Sequence, residues 1–278
     1  MLDDVVALLA CPHCGQRLTQ KETALQCANQ HSFDIARQGY VSLLTGSGHA
    51  AVGDTAAMVA ARRCFLDAGH YTPLMEALAA QWGPGPASVL DVGAGTGHYL
   101  AAALKQSPQA VGIAVDASKA AARRAAQANP RAGSVLADTW QQLPIQDGCI
   151  DVALTVFAPR RAAELHRVLR SDGASLVLTP TMRHLQELVG PLQLVHVDER
   201  KPQRLAQTMS GYFAQTSVIE LEFAMSLAHH DLDALVGMGP SAWHASAGVR
   251  ATRIAALPDP VTVTASVVLA EYRPSRRS

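Results

Sequence analysis

The run Ala87-Ser-Val-Leu-Asp91 is apolar, ends in an acid and passes within two residues into Gly93-Ala-Gly95-Thr-Gly97. No other feature of the chain restricts its fold as much. Glycines at that spacing let a strand turn tightly into a helix and bring the backbone close to a ligand. Two further apolar runs close on an acid, Ala110-Val-Gly-Ile-Ala-Val-Asp116 and Ser134-Val-Leu-Ala-Asp138. A fourth covers Cys149 to Pro159 and includes Phe157, and the Ser171-Asp-Gly173 turn leads into a fifth at Ala174 to Thr179. Strands of this kind alternating with helices predict a parallel, doubly wound α/β sheet. Its ligands lie across the carboxyl ends of the strands, where Asp91, Asp116, Asp138 and Phe157 would meet.

The spacing of the glycines identifies the ligand class. A dinucleotide turn reads G-x-G-x-x-G, whereas Gly93, Gly95 and Gly97 give the shorter G-x-G-x-G. That form suits S-adenosylmethionine, with its aminoacyl end over the turn. Asp116 is then placed to accept both ribose hydroxyls, and Asp138 lies near the adenine amino group. Toward the carboxyl terminus, 202–213 and 231–238 read as helices. Ile219, Leu221, Phe223 and Met225 alternate as a strand, and Val261 to Leu269 is a closing strand. The expectation is a seven-stranded, Rossmann-like methyltransferase sheet with an antiparallel end.

A second motif precedes this domain. Cys11-Pro-His-Cys14 is followed by twelve residues and then by Cys27-Ala-Asn-Gln-His31. A C-x2-C knuckle aims two thiolates at one ion, and the second pair closes a tetrahedron from across a hairpin. The expected ligands are Cys11, Cys14, Cys27 and His31, holding a structural Zn2+, with Leu18 and Leu25 packing across the hairpin. His13 points away from the ion from inside the knuckle and is excluded.

Composition bounds the remaining choices. The chain has 278 residues, 49% hydrophobic and 17% charged, enough for one large α/β core and a small appendage. Five cysteines without an apolar leader argue against a disulfide framework and for a cytoplasmic protein without membrane contact. Cys64 and Cys149 are read as buried small hydrophobes. Net charge is zero, so a nucleic-acid partner would have to meet local patches. Arg160, Arg161, Arg167 and Arg170 form one candidate, and Arg273, Arg276 and Arg277 another. The glycine-rich stretch 45–53 is the best boundary, giving a zinc module at 1–44, a linker and helix at 45–72 and the methyltransferase domain at 73–278. Asp54 is expected to cap the linker helix and Gly69 to stop it.

The order of motifs resembles the RlmA/TlrB family of 23S rRNA (guanine-N1)-methyltransferases, more closely its Gram-positive tylosin-resistance branch. The matching stretches include Cys11 to Cys14, His31 to Tyr40, Met58-Val-Ala-Ala-Arg62 and Leu66 to Tyr71. Asp91 to His98, Val156-Phe-Ala-Pro-Arg160 and Met238-Gly-Pro-Ser-Ala-Trp-His244 extend the likeness over nearly the whole chain. The resemblance implies donor contacts at Gly95, Thr96 and Asp116, joined by Tyr71 and by His184 of Arg183-His184-Leu185. It also implies a zinc module that recognises RNA, and a homodimer whose two zinc modules frame a cleft.

The expected reaction is methylation of guanine N1 in a 23S rRNA hairpin near the peptide exit tunnel, with tylosin-type resistance as one consequence. N1 lies on the pairing edge, so the base must be in a loop or extruded. Phe157 would stack on it and Pro159 would shape the wall. Two rivals remain. A small-molecule methyltransferase of secondary metabolism would share the donor site but has no need of a zinc module. A non-catalytic zinc-bearing RNA-binding protein would not need an intact glycine turn and acid series.

Overall fold

The apolar runs between 88 and 180 become the parallel strands of one twisted sheet in the computed structural model, which describes residues 2–45, 53–81, 85, 87–196, 198–239 and 247–275. The chain opens with the short helix α1 (Leu2–Val5), followed by strands β1 (Leu18–Lys21), β2 (Ala24–Cys27), β3 (Ser32–Asp34) and β4 (Tyr40–Ser42). Helices α2 (Ala56–Asp67) and α3 (Thr72–Ala79) lead to β5 (Ser88–Val92), α4 (His98–Gln106), β6 (Val111–Asp116), α5 (Lys119–Ala125) and β7 (Ala132–Leu136). Then come β8 (Ile150–Val156), α6 (Ala162–Val168), β9 (Leu169–Pro180), α7 (Gln186–Leu192) and α8 (Lys201–Ser210). The chain closes with β10 (Phe213–Leu227), α9 (His229–Gly237), α10 (Ala247–Ala255) and β11 (Val261–Pro274).

The large sheet runs β10-β11-β9-β8-β5-β6-β7-β4. Its first seven strands in that order are the expected methyltransferase sheet, parallel from β7 to β9 and antiparallel at β11 and β10. The eighth strand comes from the amino-terminal region. Tyr40, Val41 and Ser42 pair in parallel with Ser134, Val135 and Leu136, covering an edge that would otherwise be open. A separate antiparallel sheet, β1-β2-β3, forms the zinc-ribbon hairpin, with Leu18 opposite Cys27 and Leu25 opposite Gln20.

One connection departs from the strand–helix alternation. Residues 137–149, between β7 and β8, contain no helix. The face left open there is covered by the amino terminus. Leu2, Val5, Leu9, Leu18 and Leu25 join one apolar cluster with Val135, Ile145 and Ile150. Leu9 bridges to Ile145, and the Ala10 N–H donates to the Pro144 carbonyl at 2.9 Å. The other sheet face packs against α2, α3, α4, α7 and α9 through residues such as Phe65, Leu74, Leu100, Leu188 and Leu232.

Two local expectations change. Helix α2 is capped by Thr55, whose hydroxyl accepts from the Met58 N–H at 3.2 Å, and not by Asp54. The Asp54 carboxylate lies 2.7 Å from Arg62 Nη2, an ion pair that draws it off the helix end. Cys64 is exposed, because it sits on the outer face of α2, while Phe65 and Leu66 turn inward. Gly69 does end that segment, at φ +85°. The linker stretch at 46–52 and the motif residues 240–244 fall outside the described residues, as do Arg276 and Arg277.

Candidate active site

At the carboxyl end of β5 the chain turns on Gly93 at φ +77°. A Cβ there would lie 2.5 Å from the Ala158 Cβ, so the turn from β5 and the loop after β8 touch backbone to side chain. The Gly93 and Ala94 N–H groups donate to the Val115 carbonyl at 2.9 and 3.1 Å, tying the turn to β6. Gly97, at φ +79°, occupies the N-cap of α4. Together these contacts shape one end of a cavity of about 730 Å³. Its lining includes Tyr71, Asp91, Gly93, Thr96, Asp116, Phe157, Pro159 and His184. Gly95 and Gly97 belong to the turn without lining the cavity. Asp138 also stands off it, its Oδ1 accepting from the Trp140 N–H at 2.8 Å, while Thr139 and Trp140 line the cavity beside it.

The acids are arranged for a cationic ligand. Asp116 accepts from the Gly95 N–H and the Ser118 N–H, each at 2.8 Å, and these bonds offset part of the upward shift that burial imposes on its carboxyl. Asp91 is 1% exposed and its Oδ2 has no hydrogen-bond partner among the described residues. Burial, reinforced by the nearby Asp116 charge, pushes the Asp91 carboxyl up to about 7. A buried orphan carboxylate oxygen on the cavity wall fits an ammonium such as the donor's.

That shift gives a pH prediction. Between about pH 4 and 7 folded Asp91 binds a proton that the unfolded chain releases, so its contribution to stability falls as pH rises. Asp91→Asn should therefore unfold at higher denaturant than the wild type at pH 8, by up to about 4 kcal/mol, and converge with it near pH 4. The same variant should bind S-adenosylmethionine more weakly. Denaturation curves at the two pH values check the first effect and calorimetry the second.

At the other end of the cavity three rings meet. Tyr71 follows the Gly69 stop, Phe157 follows β8, and His184 follows β9. Phe157 lies 6.1 Å from Tyr71 and 5.7 Å from His184 between ring centroids. It holds φ +52°, a conformation that costs a phenylalanine energy, and the residue is 40% exposed. The Ser266 N–H donates to His184 Nδ1 at 3.2 Å, so the imidazole proton is on Nε2. Nε2 lies 3.1 Å from the Tyr71 hydroxyl, which accepts there and keeps its own proton to donate. Burial brings His184 down to about 4 and pushes the Tyr71 hydroxyl up, so both stay neutral.

The arginines sort by place. Arg167 is spent on Glu164 and Asp147, and Arg170 on Asp151 and Asp172. Arg273 pairs with Glu271. Arg160 and Arg161 make hydrogen bonds to the Ala158 and Trp140 carbonyls, and neither has a carboxylate partner among the described residues. Lys201 and Arg204, which belong to no motif in the sequence, line the same cavity. Burial first, then the charges of Arg160 and Arg204, holds the Lys201 ammonium below its ordinary range. No local signal could have found Lys201, because its role depends on where α8 lies over the sheet.

The metal centre is compact. Cys11 Sγ and Cys27 Sγ lie 3.5 and 3.4 Å from His31 Nδ1, and Cys14 Sγ lies 3.7 Å from Cys27 Sγ. All four donor atoms fall within 4.8 Å of one another. Zinc bonds of about 2.3 Å to sulfur and 2.0–2.1 Å to nitrogen make a tetrahedron with edges of roughly 3.5–3.8 Å. The tetrad therefore has the size of a zinc site, with Nδ1 as the imidazole ligand. His13 lies outside it, its ring stacked on Phe33 at 5.8 Å.

Both modules have counterparts among known proteins. Residues 9–46 match the family model described as RlmA, N-terminal, a zinc ribbon, and residues 89–173 match a methyltransferase domain. A Micromonospora griseorubida protein provisionally named as a 23S rRNA (guanine-N1)-methyltransferase is 49% identical, over 99% of this chain and 100% of its own. The 23S rRNA (guanine(748)-N1)-methyltransferase of Streptomyces fradiae is 46% identical over 99% of each chain. The crystal structure of the MccD protein shares the sheet, with a TM-score of 0.50 at 18% identity over 73% of this chain and 98% of that one. The chain belongs to the RlmA family of S-adenosylmethionine-dependent 23S rRNA (guanine-N1)-methyltransferases.

Proposed function

We propose that this protein methylates N1 of the guanine equivalent to 748 in 23S rRNA, the nucleotide in the name of the Streptomyces fradiae relative. The observation that carries the proposal is one continuous cavity joining the glycine turn and its acids to the exposed Phe157 ring and the Lys201–Arg204 cations. When bound, S-adenosylmethionine supplies an electrophilic methyl on its sulfonium sulfur. Thr96, Asp91 and Asp116, the last fixed by the Gly95 N–H, would hold that donor, and Tyr71, fixed by His184, would offer its hydroxyl proton to it. Phe157 stacks on the guanine, Pro159 walls its edge, and Arg160, Arg161, Lys201 and Arg204 meet backbone phosphates.

The bound donor would give its methyl to N1 and leave as the neutral thioether, so N1 must give up its proton to a group within reach. His184 does not accept that proton, since its Nδ1 is engaged by Ser266 and burial keeps the ring at about 4. Tyr71 is already protonated. The proton leaves to water at the open lip, and alignment of N1 with the methyl supplies most of the rate. Net charge zero fits this reading, because Arg160, Arg161 and Lys201 stand at the cavity mouth without a carboxylate partner among the described residues, beside Arg204 on Asp198, while Arg167, Arg170 and Arg273 are neutralised in place.

Primer extension on 23S rRNA, reading blocks at N1 after incubation with the donor, tests the activity. Phe157→Ala removes a stacking surface of about 1–3 kcal/mol and should slow transfer roughly 5- to 150-fold, with donor affinity near wild type. Wild-type protein that binds the donor but leaves every guanine N1 unmethylated would overturn the proposal. Truncation of residues 1–44 is not a clean test, because β4 and α1 belong to the packing of the large sheet. The resemblance also supports RNA recognition by the zinc module and a homodimer, which light scattering of the full chain would reveal. Among the described residues no helix is long and apolar enough to cross a membrane.

A further inference from the structure

The stretch Met58-Val-Ala-Ala-Arg62 has no role in the donor and base contacts above, yet its last residue reaches the glycine turn. Arg62 projects from α2 and lines the donor cavity. Its Nη2 is held twice, by the Asp54 carboxylate at 2.7 Å and by the Met238 carbonyl at 2.9 Å. Those two bonds fix the plane of the guanidinium. Nη1 has no hydrogen-bond partner among the described residues. It stands over the turn, where a Cβ built on Gly95 would come within 2.8 Å of it.

The charges around the turn make that position informative. Asp54, Asp91 and Asp116 are acids, and Arg62 is the cation among them. The aminoacyl end of the donor carries one ammonium and one carboxylate. Asp91, with its orphaned Oδ2, answers the ammonium. A carboxylate placed among three acids would be repelled unless a cation stood beside it. An arginine with one edge already fixed also loses little freedom when it binds an anion with the other edge.

We propose that Arg62 is the carboxylate-binding residue of the donor site, with Nη1 donating to the methionyl carboxylate. The inference rests on the reading of this cavity as the donor's, and it adds a contact from the linker helix to those made by the sheet. It also explains why the turn has glycine at 95: a side chain there would take the space that the guanidinium occupies. The donor would then be gripped from both sides, by strand ends below and by α2 above. Because Asp54 and Met238 share that guanidinium, the start of α2 and the end of α9 are tied to the same contact.

Calorimetry on the full chain tests this with two ligands, S-adenosylmethionine and its decarboxylated analogue. Arg62→Met should weaken S-adenosylmethionine by about 10- to 100-fold, the effect of losing a charged hydrogen bond. The analogue, which has no carboxylate to lose, should bind wild type and variant within about threefold of each other. A structural role for Arg62 would weaken both ligands equally, and that result overturns the proposal. Arg62→Gln is the second variant, should the methionine chain not fold, with the same expected selectivity. If neither folds, wild type that binds the analogue as tightly as the donor overturns it. No donor binding by wild type overturns the cavity assignment itself, whereas binding without selectivity overturns only the role of Arg62.

Discussion

Replacing Cys11 and Cys27 by alanine should remove the metal and destabilise the whole chain, not only its amino terminus. Three contacts among the four ligand atoms are 3.4 to 3.7 Å, and all four atoms lie within 4.8 Å of one another. Structural zinc in isolated finger peptides contributes an apparent ~10–16 kcal/mol near neutral pH. In this chain the hairpin around the metal shares its apolar cluster with the sheet. Cys11, Leu18, Leu25 and Cys27 pack into the same cluster as Val135, Ile145 and Ile150. Losing the metal therefore uncovers the face that lacks a helix between β7 and β8. Metal analysis should fall from one zinc per chain to none, and the melting temperature should drop by roughly 10 °C or more. His13→Ala should keep its zinc, since His13 lies outside the tetrad. Unchanged zinc in the double variant would mean that the ligands lie elsewhere.

Gly93→Ala should have the next largest effect, because two separate costs fall on one methyl group. The residue holds φ +77°, where a side chain costs about 1–2 kcal/mol. The new Cβ would also lie 2.5 Å from the Ala158 Cβ, and overpacking of that kind costs a further ~1–3 kcal/mol. Together the melting temperature should fall by roughly 5–15 °C. Donor affinity should fall as well, since Ala158 is displaced between Phe157 and Pro159 on the cavity wall. Gly190→Ala in α7 is the control. Its Cβ would meet nothing within 4 Å, and the change should be neutral or stabilise the helix by about 0.5–1 kcal/mol. Equal melting shifts for the two variants would show that the close approach at Gly93 carries no weight.

Features set by neighbouring residues are legible in the amino-acid order alone. The ligands Cys11, Cys14, Cys27 and His31 are spaced for one ion, and a hairpin of the expected length brings them together. The glycine turn follows β5, and strands β6 and β7 run up to the acids at 116 and 138. Spacing reports such features because they depend on chain geometry over a few residues. Tyr71 and His184 are different. Only family resemblance points to them, because they are 113 positions apart and meet through a hydrogen bond of 3.1 Å. Cys64 departs from expectation for a related reason: helical spacing identifies an apolar face, but the face that α2 buries is decided by the sheet it lies on.

By itself, then, the sequence determined the order of the strands, the sites of the turns and the chemistry of the two ligand sets. Each follows from backbone conformation and the period of apolar residues. Tertiary structure decided which distant residues share a cavity and which charges remain unpaired. It set Arg62 over Gly95, brought Lys201 beside Arg160, and used the amino-terminal segment to cover a bare face and an open edge of the sheet. Those outcomes depend on how side-chain volumes fill the space between elements. Such packing is a property of the whole core, and no local window of the sequence contains it.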